Sequence, residues 1–143
     1  MSNKPKPVKS NVEKRTITYL DIWKSQAALS HLVNVKQQGK NGPEPLCASV
    51  SIKIARLAKM IRSEMDLLTP IHTGLVEKYG EENPETKRKS VQQGSIAYDS
   101  FMLEFTEALK QEIPWDLDLV KLPGDALIDP AIFIDMEPFI DIE

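Results

Sequence analysis

One long apolar repeat constrains the fold of this chain more than any other feature of its sequence. Between residues 50 and 75, aliphatic side chains recur at spacings of 4, 3, 4, 7, 3 and 4. These residues, called the seam below, are Val50, Ile54, Leu57, Ile61, Leu68, Ile71 and Leu75. Spacings of three and four place side chains along one face of an α-helix. An uncovered seam would expose apolar area at about 25 cal/mol per Å², so the repeat predicts a long helix packed against companion helices.

The residues around the seam predict where this helix begins, bends and ends. We expect it to begin near Cys47 to Ser49 and to end at Tyr79, where Gly80 follows as a typical C-terminal residue. Pro70 lies inside the repeat and removes one backbone hydrogen bond. It either kinks the helix or starts a second helix capped by Thr69. We predict a kink, because the seam keeps its register across the proline.

Two shorter amphipathic segments can supply the companion helices. The first follows Asp21, which we predict to cap it, and its apolar residues include Ile22 and Leu29 on one side. The other is SIAYDSFMLEFTEALKQEI, residues 95 to 113, which we expect to return antiparallel to the long helix. Pro114 is predicted to stop it.

Short β-segments flank these helices. TITYL, residues 16 to 20, and WDLDLVKL, residues 115 to 122, alternate as strands do, the second with Asp116 and Asp118 on its solvent side. Residues 37 to 45 and 81 to 94 are predicted loops, and Asp129-Pro130 predicts the start of a brief last helix. The expected fold is mainly α with minor β: a long antiparallel helical hairpin plus a third helix and a short strand pair.

Composition indicates one soluble domain. The chain has 143 residues, of which 41% are hydrophobic and 27% charged. Cys47 is the single cysteine, so no internal disulfide forms, and with His31 and His72 it provides too few ligands for a zinc site. No apolar run approaches the roughly 20 residues that cross a bilayer, and no signal peptide is recognisable. We therefore predict a cytoplasmic protein that does not interact with membranes.

Charge divides the chain into a basic start and an acidic end. Residues 1 to 15 carry five basic residues against one carboxylate, whereas residues 113 to 143 carry eight carboxylates against one lysine. We predict a flexible basic arm at 1–15 and a single helical domain at 16–143. The two ends should attract each other, although screening over about 8 Å at physiological salt weakens such attraction.

The sequence contains no recognisable catalytic or cofactor motif. Asp116 and Asp118, with Asp125 or Asp129, could hold a hard cation such as Mg²⁺ in a metal-dependent hydrolase, but alternation with apolar residues is more typical of a solvated strand face. Basic residues recur every third position along the long helix, at Lys53, Arg56, Lys59 and Arg62. They drift around the helix instead of forming a patch, which with a pI near 5.5 argues against nucleic-acid binding.

The order of these segments resembles an uncharacterised family of small proteins from tailed phages and prophages of Gram-positive bacteria. The resemblance spans residues 16 to 141. It depends on AALSHLVNVK, the IARLAK…LVEKYGEE run, FMLEFTEALKQEI, WDLDLVKL and the closing EPFI. It implies a phage or prophage origin, a non-enzymatic role in the virion or toward the host, and no catalytic residues or cofactor.

These observations predict a protein that works by binding other protein chains, in the host cytoplasm or associated with the virion. The partner could be a second copy in a homodimer, because the seam could be longer than its intramolecular partners can cover. The expected interaction residues are Val50, Ile54, Leu57, Ile61, Leu68, Asp116 and Asp118. The alternative is an anti-host inhibitor that binds a bacterial enzyme or a nucleotide signal, using the acidic residues from Asp116 to Glu143.

Overall fold

The long helix predicted from the seam is present in the computed structural model, which describes residues 15–143. Of these residues, 52% are helical and 22% lie in strands, so the fold is mainly α with minor β. The helices are α1 (Tyr19–Leu32), α2 (Ala48–Tyr79), α3 (Ile96–Leu109) and α4 (Pro130–Met136). The strands are β1 (Arg15–Thr18), β2 (Lys36–Gly39), β3 (Gly42–Pro45), β4 (Glu81–Glu82), β5 (Lys89–Ser90), β6 (Glu112–Trp115), β7 (Val120–Leu122), β8 (Ala126–Leu127) and β9 (Ile140–Ile142).

Within residues 15–143, four small sheets replace the single strand pair that was predicted. β1 pairs antiparallel with β6, and β4 with β5. β2 lies between β3 and β8, antiparallel to both, while β7 and β9 are parallel. The basic arm predicted at residues 1–15 lies outside the described residues except for Arg15, which belongs to β1.

Helix α1 begins with a capping box, but Asp21, which was predicted as the N-cap, is not the N-cap residue. Thr18 is the N-cap, and its backbone N–H donates to the Asp21 carboxylate at 3.0 Å, while the Asp21 N–H points back to the Thr18 hydroxyl at 3.4 Å. Asp21 is therefore the third helical residue. The phenol of Tyr19 donates to Glu64 of α2 at 2.9 Å, which joins the two helices. Burial is the main cause that raises the pKa of Tyr19, and this hydrogen bond adds to it.

Helix α2 runs for 32 residues without a break at Pro70, and Gly80 is its C-cap residue as predicted. α1 and α3 have 14 residues each. α1 packs against both α2 and α4, and α3 packs against α2. The long antiparallel hairpin is not confirmed, because neither short helix matches the length of α2.

One predicted helix end is wrong, and both predicted loops contain strands, since β4 and β5 lie within residues 81–94. α3 ends at Leu109, well before Pro114, and the chain then enters β6, where Pro114 lies opposite Thr16. A proline is tolerated there because both strands of a two-stranded sheet are edge strands. The segment predicted as a glycine-proline loop forms the β2–β3 hairpin instead. Gly39 pairs with Gly42. The φ of Gly42 is 107°, a positive value that glycine adopts readily and other residues rarely adopt.

The core lies between α2 and the elements around it. Residues from α1, α2, α3, β6, β7 and the segment that leads into β9 form one buried cluster. The largest fully buried side chains include Trp115 and Phe139, whose ring centroids are 5.2 Å apart. The 138–142 segment, predicted from sequence only as an acidic ending, thus contributes to the core.

Candidate functional site

The central residues of the seam belong to the core. Ile54, Leu57, Ile61 and Leu68 are at most 4% exposed, and Val50 is half-buried. A partner protein cannot reach these four side chains while the domain is folded. Four of the seven residues that the sequence nominated for an interaction surface therefore belong to the core, whereas Val50, Asp116 and Asp118 do not.

A second apolar strip on α2 remains open. Leu67 and Ile71 are 59% and 47% exposed, and their spacing of four places them next to each other on the helix surface. Met60, one heptad before Leu67, is half-buried on the same face, with Ser63 and Glu64 between it and Leu67. We call Met60, Leu67 and Ile71 the α2 strip. Ile71 belongs to the seam, so the seam is incompletely covered toward its C-terminal end.

Exposed apolar residues on α3 are more dispersed. Ile96 and Leu103 are 86% and 67% exposed, but they are seven positions apart, and Ser100 lies between them on that face. Single exposed aliphatic residues are normal on soluble proteins. The α2 strip is a better candidate for an interaction surface, because Leu67 and Ile71 are both exposed and adjoin.

Asp116 and Asp118 lie in the connection between β6 and β7 and not in a continuous strand. Both are exposed, as expected for solvent-facing carboxylates. Leu119 is 37% exposed although the alternation predicted it to be buried. The strand is interrupted because β6 pairs with β1, whereas β7 pairs with β9.

These two carboxylates share a cleft with basic residues of α2. The cleft, called the α2/β7 cleft below, has a volume of about 200 Å³ and is lined by Lys53, Arg56, Asp116, Leu117, Asp118 and Val120. None of its four charged residues forms an ion pair with another described residue. The basic pair on α2 and the acidic pair before β7 were both visible in the sequence. Their proximity was not predictable, because it results from the packing of α2 on β7.

Arg15 fixes the wall of this cleft. Its guanidinium donates to the Pro138 carbonyl at 2.5 Å and to the Leu117 carbonyl at 3.3 Å. Burial lowers the pKa of Arg15, and the nearby negative charge of Asp118 opposes that effect. This role was not predicted, because Arg15 was assigned to the basic arm.

The histidines and the cysteine lie elsewhere. His72 packs among aromatic rings, with its centroid 5.1 Å from Trp23 and 5.0 Å from Phe105. His31 is exposed beside a separate cleft near α4. Cys47 is the exposed N-cap residue of α2, and the hydrogen bond between its thiol and the Ser49 hydroxyl is the main cause that lowers its pKa. These residues are too scattered to form a nucleophile and base pair.

Residues 15–143 contain no group of three or more His, Cys, Asp or Glu residues placed to hold a metal ion. Asp125 and Asp129 therefore do not complete a site with Asp116 and Asp118. No helix in the same range combines the length and apolar character needed to cross a bilayer.

Comparisons with models of protein families, with curated proteins and with solved structures gave no match.

Proposed function

We propose that this chain is a non-enzymatic phage or prophage protein that acts by binding another protein through the α2 strip, with a second copy as its first candidate partner. The observation that carries the proposal is the pair of adjoining exposed side chains, Leu67 and Ile71. Their burial against a partner would recover about 25 cal/mol per Å² of apolar area. The phage origin is supported by the resemblance of residues 16 to 141 to that family.

The proposal includes a scaffold role for α2 and α3. The Lys78 ammonium lies 3.1 Å from the Glu104 carboxylate, and His72 meets Phe101 with ring centroids 5.7 Å apart. These contacts support close packing of α3 on the C-terminal half of α2. We propose that α3 returns antiparallel there, so that the two helices form a hairpin that holds the α2 strip in place.

Self-association tests the proposal directly. Multi-angle light scattering over a concentration series should show a monomer to dimer transition for the unchanged chain. The double variant L67E/I71E should remain monomeric at every concentration, because each dimer would bury carboxylates without partners. Circular dichroism should show the same helix content for both proteins.

The matched control is I96E/L103E, which places the same charges at two exposed aliphatic positions of α3. This variant should dimerise like the unchanged chain. A monomer at all concentrations would rule out self-association, and equal loss of dimer in both double variants would show that added charge, not the α2 strip, controls association.

A further inference from the structure

The α2/β7 cleft presents two positive and two negative side chains that do not neutralise each other by direct pairing. Lys53 and Arg56 stand one turn apart on α2, and Asp116 and Asp118 face the same space from the connection before β7. None of the four forms an ion pair within the described part of the chain. A ligand with both a negative and a positive group could therefore pair the first with the basic side chains and the second with the carboxylates.

The floor and the walls of the cleft suit a small ligand with an apolar part. Leu117, which is half-buried, provides most of the aliphatic lining, and Val120 also lines the cleft although only 4% of it is exposed. The volume of about 200 Å³ is smaller than the roughly 300–1,000 Å³ typical of sites for drug-sized molecules. The ligand should thus be a small metabolite.

The acidic wall is held in position before any ligand arrives. The Arg15 guanidinium donates a hydrogen bond to the Leu117 carbonyl, and the Val120 N–H donates to the Phe139 carbonyl at 3.0 Å. Trp115, which precedes Asp116, is 1% exposed. Because both ends of this short connection are fixed, the backbone that carries Asp116 and Asp118 loses little conformational freedom when their carboxylates bind an ammonium group.

We propose that the α2/β7 cleft binds a zwitterionic α-amino acid with an apolar side chain. Its carboxylate lies against Lys53 and Arg56, where a guanidinium can donate two parallel hydrogen bonds. Its ammonium group lies against Asp116 and Asp118, and its side chain covers Leu117 and Val120. This binding activity goes beyond the proposed protein interaction and does not depend on it.

The same charges disfavour other ligand classes. A phosphate group would meet Arg56 and Lys53, but Asp116 and Asp118 would repel it. A divalent cation would meet two carboxylates and two positive charges, and no third carboxylate, histidine or cysteine joins them among the described residues. A ligand with one sign of charge leaves half of the cleft unsatisfied.

Titration by NMR with three probes tests the charge requirement. Leucine should shift the amide signals of residues 53, 56 and 116–120 in a saturable manner. 4-Methylpentanoate, which lacks the ammonium group, and 3-methylbutylamine, which lacks the carboxylate, should bind at least tenfold more weakly. Valine and methionine serve as further probes of the apolar floor. The proposal is wrong if none of the three amino acids binds, or if either analogue binds as tightly as leucine.

Variants locate the site independently of the probes. D116N/D118N and K53M/R56M should each lower the affinity for leucine at least tenfold. K59M/R62M, which changes two basic residues of α2 outside the cleft, should bind like the unchanged chain. Unchanged binding by both cleft variants would place any amino-acid site elsewhere and overturn the assignment. Light scattering on the same samples separates this outcome from the dimer test, since the α2 strip is unchanged in all of them.

Discussion

Arg15 shows how one side chain can join distant parts of this chain. It lies in β1 opposite Trp115, and its guanidinium reaches the carbonyls of Leu117 and Pro138. Backbone carbonyls that lose a partner in a partly buried place cost free energy, because water reaches them poorly. The side chain therefore stabilises the fold and also positions the acidic wall of the α2/β7 cleft.

Replacing Arg15 with Met should lower the free energy of unfolding by about 1–3 kcal/mol, because two carbonyls lose a charged donor. R15K should recover only part of this loss, since an ammonium cannot span two carbonyls as a planar guanidinium does. Urea denaturation followed by tryptophan fluorescence measures both variants. The neighbouring exposed residue Thr16 provides a control, and T16A should change stability by about 0.5 kcal/mol or less. Equal stability of R15M and the unchanged chain would show that these hydrogen bonds have no net effect.

Pro70 lies inside α2, which continues through it, so the proline affects the stability of this helix. Proline inside a helix costs about 3 kcal/mol relative to alanine, while its rigidity lowers the entropy of the unfolded chain by an amount worth up to about 1 kcal/mol. The first effect is the larger. P70A should therefore raise the free energy of unfolding by about 2 kcal/mol.

Chemical denaturation measures this change, with K59A as the control at another exposed position of the same helix. Lysine and alanine have similar helix propensities, so K59A should differ from the unchanged chain by about 0.5 kcal/mol or less. If P70A proves less stable, a bend at Pro70 is required to pack Leu68 and His72.

The helices were largely predictable because local residues set them. The seam, the Tyr79-Gly80 end of α2 and the Asp129-Pro130 start of α4 each depend on residues a few positions apart. The sheets were not predictable in the same way. β1 pairs with β6 across most of the chain, and β7 is parallel to β9, so their partners follow from tertiary packing.

For the candidate site too, the features set by local sequence were predictable and those set by tertiary packing were not. The apolar spacing marked the seam correctly as a packed face, but it could not show that α1, α3 and β7 all pack on α2 or that Ile71 stays open. Likewise the charges of Lys53, Arg56, Asp116 and Asp118 were visible one by one. Their shared cleft depends on contacts between residues about sixty positions apart, for which a single sequence gives no local signal.

Segments that are far apart in the sequence pair and pack against one another within residues 15–143. β1 pairs with β6, α1 packs on α4, and β7 pairs with β9. Phe139 lies at this junction, fully buried against Trp115. Because each segment depends on the others for its buried surface, residues 15–143 should unfold in one transition.

Phe139→Ala tests this cooperativity, because it removes a large buried ring near the last strand. The free energy of unfolding should fall by about 3–5 kcal/mol, as for other phenylalanines deleted from cores. Tryptophan fluorescence, measured in a W23F background to remove the signal of the second tryptophan, reports on Trp115 beside the deleted ring, while far-ultraviolet circular dichroism is dominated by α2 and the other helices. If the domain is one cooperative unit, both signals should move to the same lower urea midpoint. Ile134→Ala, at a position that is 65% exposed on α4, should leave both midpoints nearly unchanged. A lower fluorescence midpoint with an unaltered dichroism midpoint would instead mean that α2 and its companions fold without the segment that contains Phe139.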